Sequence, residues 1–141
     1  MFFTVLLGIF AAISLGEGIY STVFNDDMIS YVESTHPNDL AEYLSGLGLE
    51  TIEQLADLIY IQGLLILIDG VVVLLAFFLC IRRRYWRAVF VLCLVASSLV
   101  LASFVFMMPE MMEKELFSVI VQTVIGLLMA RGVYMNRGAF R

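Results

Sequence analysis

Four long stretches, each about twenty residues and almost free of charge, constrain this chain more than any other feature. They run from Phe2 to Phe24, broken only by Glu17; from Leu58 to Ile81, broken only by Asp69; from Ala88 to Met108, uncharged; and from Leu116 to Met135, with Arg131 near the end. About 20 apolar residues rising about 1.5 Å each span the roughly 30 Å hydrocarbon core of a bilayer as a helix. Strands of a membrane barrel would instead read as segments of about ten residues alternating in polarity. The expected fold class is an all-α integral membrane protein: a four-transmembrane-helix bundle forming a single membrane domain over residues 1–141. Composition agrees. The chain is 62% hydrophobic and 15% charged, against about 45–50% apolar and about 25% charged in an ordinary soluble domain, too few charges to coat a soluble globule.

Basic residues near span ends are retained on the cytoplasmic side. Arg82, Arg83, Arg84 and Arg87 lie in or beside the turn 82–87 between spans two and three, and Arg131, Arg137 and Arg141 lie at the end of span four, which leaves only Lys114 on the other side. Eleven of the 13 acids fall in the two opposite loops: Asp26, Asp27, Glu33, Asp39, Glu42, Glu50, Glu53, Asp57, Glu110, Glu113 and Glu115. Both termini are therefore expected in the cytoplasm. The short loops suggest a bacterial inner membrane. Span one reads as an uncleaved helix, because it lacks a basic leading segment and outruns the roughly 7–15 apolar residues of a signal peptide. The arginine turn is too short for a nucleic-acid platform. It serves as a topology determinant and a place for anionic lipid headgroups.

The loop 25–57 is expected to hold one short amphipathic extracytoplasmic helix. His36-Pro37 marks its start, with Asn38 and Asp39 near the first turn. Leu40, Tyr43, Leu44 and Leu47 follow at i, i+3, i+4, i+7, and Gly46 and Gly48 supply the stop. Thr51 and Gln54 have capping-box spacing for the rise into span two. The helix serves either as a lid packing its leucines onto the spans or as a docking surface whose acidic face suits a basic partner or a cation.

Charged groups inside a span are costly and thus functional candidates. Counted along the helices, Glu17 lies roughly 10 Å and Asp69 about 16 Å below the outer boundary. If spans one and two pack together, the two acids are placed to share a proton or bind a cation, since close like charges do not both remain ionised cheaply. Alternatively they are interhelical glue, with Gln62 or Gln122 as polar partners. Gly8, Ala12 and Gly16, and likewise Ser118, Gln122, Gly126 and Ala130, recur at the four-residue spacing that lets helix backbones approach closely, as do Ser98 and Ala102.

Catalytic and cofactor chemistry finds little footing. One histidine, His36, supports neither a histidine-based metal site nor a serine triad. No Walker or G-x-G-x-x-G string occurs. No cofactor, metal or nucleic acid is called for. Cys80 and Cys93 both lie toward the cytoplasmic side, so no extracytoplasmic disulfide is expected.

Leu15-Gly16-Glu17 among small residues resembles the first helix of small multidrug-resistance transporters, whose single membrane glutamate is essential. The likeness covers a few residues, and the chain departs from it in its long loop, its second acid Asp69 and its arginine turn. The span layout is also similar to DoxX-type four-helix membrane proteins, with no motif matching residue by residue. Three readings follow. The first is a non-enzymatic accessory or interaction subunit in the bilayer, working with a membrane-protein partner or as a homo-oligomer. The second is a proton- or cation-coupled transporter of a small solute, working as an oligomer around Asp69 and Glu17. The third is an immunity or exclusion protein binding a toxin at the outer face.

Overall fold

The computed structural model describes residues 2–105 and 109–140, and within these all regular structure is helical. The expected end of span three at Met108 and the side chains of Glu110, Glu113, Lys114 and Glu115 lie outside what is described. The elements are α1 (Phe2–Val23), α2 (Asn25–Thr35), α3 (Leu40–Gly46), α4 (Ile52–Ile81), α5 (Trp86–Val105) and α6 (Pro109–Met135), followed by a 3-10 turn at Arg137–Ala139. Four of them, α1, α4, α5 and most of α6, are long and apolar enough to cross a membrane. At 30 residues, α4 is about 45 Å long, so it extends beyond a hydrocarbon core. It starts at Ile52, a turn and a half before the expected span.

Thr51 caps α4, its hydroxyl accepting the Gln54 N–H at 3.3 Å. The Gln54 side chain accepts in return from Glu50 N–H at 2.7 Å, one residue before the cap. The extended first turns of α4 support the segment between α1 and α4. Here the structure differs from the single helix expected, because α2 follows α1 after a break at Phe24. Met28, Ile29 and Val32 of α2, with Leu40, Tyr43 and Leu44 of α3, pack around Leu55 and Ile59 of α4. The short helix also begins later than His36-Pro37 suggested. His36 instead ends α2, stacks on Tyr43 with ring centroids 4.2 Å apart and pairs with Asp39 at 3.2 Å. Asp39 is thereby taken from the capping role and makes no side-chain cap bond. The α3 stop is a Schellman arrangement: Leu49 N–H reaches Leu44 O, Gly48 N–H reaches Ser45 O, and Gly48 takes φ +73°, which favours glycine.

The long helices pack in chain order, α1 on α4, α4 on α5 and α5 on α6. The α1–α4 seam is the tightest, because glycines bring the two backbones together. A Cβ at Gly18 would lie 2.5 Å from Leu67 N, one at Gly63 2.6 Å from Ser21 Cβ, and one at Gly70 2.8 Å from Leu15 N. This corrects the expected stripe. Gly8 does lie under the Phe77 ring, but Ala12 and Gly16 are exposed and a Cβ at Gly16 would touch nothing within 4 Å. On α6, Gly126 and Ala130 do face inward, Gly126 directly against Ser97 of α5. Ser98 is exposed; the inward-facing serines of α5 are Ser97 and Ser103.

Toward the arginine turn all four long helices meet. Leu7 and Ala11, Val73 and Ala76, Val89 and Cys93, and Ala130 and Val133 form one apolar core, and Phe3 lies against Gly132 to join α1 to α6. Both cysteines are free.

Candidate functional site

One to two turns farther from the arginine turn, the inward positions of the same helices change from apolar to polar. A cleft of about 260 Å³ opens there, enough for roughly eight waters at about 30 Å³ each. From α1 it is lined by Ser14, Glu17, Tyr20 and Ser21, and from α4 by Gln62, Ile66 and Asp69. From α5 come Leu99, Val100 and Ser103, and from α6 Ser118, Val119 and Gln122. Tyr20 and Glu17 are exposed and stand at its rim, whereas Asp69 is only 5% exposed.

Asp69 is held there by the α1–α4 seam, since its neighbour Gly70 presses on Leu15 and so brings Ser14 opposite the carboxylate. The Ser14 hydroxyl donates to Asp69 Oδ2 at 2.9 Å, and Asp69 Oδ1 has no hydrogen-bond partner. One oxygen is thus fixed while the other remains available as an acceptor. A second void of about 30 Å³ adjoins the same carboxylate, lined also by Phe10, Val73, Ala96, Ser97, Gly126 and Met129. It is large enough for one water, and the apolar core begins beyond it.

Both acids singled out from the sequence line one cleft, as do Gln62 and Gln122. Asp69, however, has Ser14 as its partner. Gln122 Nε2 donates to Ser118 Oγ at 3.3 Å on its own helix. Sequence reasoning missed Ser14, Ser21 and Ser103. Their small hydroxyls pass unnoticed in apolar helices, yet Ser14 and Ser21 lie seven residues apart on the α1 face that also holds Gly18.

No basic side chain and no histidine lines the cleft. Its chemistry is therefore that of two carboxylates, three side chains with amide or phenol groups, and four serine hydroxyls around a fixed acceptor. Such a lining suits a guest that donates hydrogen bonds and carries positive charge. Among the described residues there is no group of three or more metal-ligating side chains.

Arg82, Arg83, Arg84 and Arg87 are all exposed at the opposite end, in and after the α4–α5 turn. Arg83 and Tyr85 both adopt left-handed backbone conformations there, with φ 49° and 55°. Outside the cleft, all eight acids of the α2–α3 region and its flanks are exposed, and His36–Asp39 is the sole ion pair among the described residues. No family model, curated protein or solved structure matches the chain.

Proposed function

We propose that this chain is a non-enzymatic membrane protein that binds a small monovalent cation or cationic solute in the cleft and exchanges it for a proton at Asp69. The carrying observation is the buried Asp69 carboxylate, with one oxygen fixed by Ser14 and the other unpartnered, facing a polar cleft inside a bundle of membrane-crossing helices. A charge at this depth is expensive in lipid and persists where it serves a pathway or a ligand. The guest's positive charge replaces the proton, so one cation in and one proton out leaves the charge of the site unchanged. Glu17, at the rim, is the second group through which a proton or cation passes.

The excess of arginines favours an orientation with the α4–α5 turn and both termini in the cytoplasm, so that the cleft faces outward. A bacterial inner membrane fits this arrangement. On the inner side of Asp69 the helices close around Val73, Ala96 and Met129. This is one end state of a cycle in which that contact opens and the cleft closes. Four helices leave little room for such a cycle, which favours an oligomer as the working unit.

The test is reconstitution in liposomes, recording proton release as cationic solutes from small amines to guanidinium compounds are added. The parent is expected to release protons with at least one member of the series, Asp69→Asn to release none, and Glu17→Gln to retain binding with slower exchange. Absence of release across the series, with both variants folded, refutes the reading. The accessory-subunit reading is favoured by a different observation, the unbroken acidic surface of Asp26, Asp27, Glu33 and Glu42. Crosslinking in native membranes that captures one basic partner through α2 or α3 would support it.

A further inference from the structure

We propose that the arginine end carries a site for the phosphate headgroup of an anionic phospholipid, held between Arg87 and Arg137 on the ring pair Trp86–Tyr134. This inference does not rest on the cleft reading. The two rings come from the first turn of α5 and the last turn of α6 and meet edge to face, with centroids 6.0 Å apart. Phe90 supports Tyr134 from behind at 6.2 Å. Each ring carries one guanidinium. Arg87 lies 5.7 Å from the Trp86 centroid and Arg137 4.7 Å from that of Tyr134. Stacking fixes the plane of a guanidinium through its face and leaves the N–H fork free to bind phosphate oxygens in pairs. Neither arginine has a carboxylate within ion-pair distance among the described residues, so both charges lack a protein counter-ion.

The occupant follows from place and charge. The pair lies at one end of the candidate spans, where aromatic rings sit at headgroup depth and the anionic leaflet attracts basic residues. Arg82, Arg83 and Arg84 add diffuse positive charge nearby, but none of them stacks on a ring. They therefore attract anionic lipid without defining a site.

Trp86 is the single tryptophan of the chain, so its fluorescence reports on the site directly. Delipidated protein in neutral detergent would be titrated with short-chain phosphatidylglycerol, with phosphatidylcholine of equal chain length, and with inorganic phosphate. A saturable change in Trp86 emission is expected with phosphatidylglycerol alone, unaffected by millimolar phosphate. The combination of Arg87→Gln and Arg137→Gln is expected to weaken it roughly twentyfold, from about fivefold per basic residue at an anionic surface. Arg82→Gln, Arg83→Gln and Arg84→Gln together are expected to cost less than threefold. Equal response to both lipids in the parent, or displacement by phosphate, overturns the proposal without any variant. So does equal weakening by the triple and the double variant, or a double variant that binds as the parent does.

Discussion

The two halves of the helix bundle use the same four helices and reach opposite results. In the half next to the arginine turn, inward positions carry Leu7, Ala11, Val73, Ala76, Val89 and Val133, and the helices close into a dry core. In the other half, inward positions carry Ser14, Ser21, Gln62, Asp69, Ser103 and Gln122, and the helices stand around a cleft. Lipid tails are as apolar as leucine, so apolar character does not by itself draw helices together in a membrane. Close fit does, and the glycine seam of α1 and α4 supplies it in both halves. The difference lies in what fills the space against α5 and α6.

The largest effect should come from breaking the seam on which both halves depend. Gly70→Leu places new atoms where Leu15 backbone already stands. It is expected to cost about 3 kcal/mol and to abolish any binding in the cleft, as read by helix loss in a denaturing-detergent titration. Next is Asp69→Asn, which removes the charge buried in the open half. Folding stability should be kept or should rise by about 1 kcal/mol while binding disappears, because a functional site sacrifices stability for chemistry. A clear loss of stability would instead make Asp69 a structural group.

Of similar size and opposite sign is Gly126→Ala, which brings a Cβ against Ser97 Oγ at the border of the two halves. A destabilisation of about 1 kcal/mol is expected, most of it recovered in the double variant with Ser97→Ala, as a thermodynamic cycle would measure. Ser14→Ala should cost about 0.6 kcal/mol, typical of a hydrogen bond between membrane helices. It should alter solute affinity more than stability. The smallest effect belongs to Gly16→Ala, where a Cβ meets nothing. Stability should be unchanged or up to about 1 kcal/mol higher from helix propensity alone.

These contrasts show what could be read in the sequence. The four long helices follow from apolar length, and Asp69 stood out because an acid in such a run is rare. The rotation of α1 could not be read. Gly8, Ala12 and Gly16 have seam spacing, but the seam runs through Leu7, Ala11, Leu15 and Gly18, because in lipid either face is apolar enough and only the shape of α4 decides. The second short helix was missed for a related reason. Asn25–Thr35 is polar on average and carries no capping signal, and it is held by Met28, Ile29 and Val32 resting on an α4 that starts earlier than hydropathy indicates. Asp39 shows a local competition that spacing does not reveal, since its carboxylate goes to His36 rather than to the helix behind it.

The central claim is that one half of the bundle is a wet, cation-selective cleft and the other is closed. Single cysteines at Ser118 and Ala130, in a chain with Cys80→Ala and Cys93→Ala, test it with small thiol reagents of opposite charge. The account predicts that the Ser118→Cys thiol reacts several-fold faster with the ammonium-bearing reagent than with the sulfonate-bearing one. Asp69→Asn should erase that preference, and the Ala130→Cys thiol should react with neither. Equal rates with both reagents at Ser118→Cys, or a reactive thiol at Ala130→Cys, would contradict it.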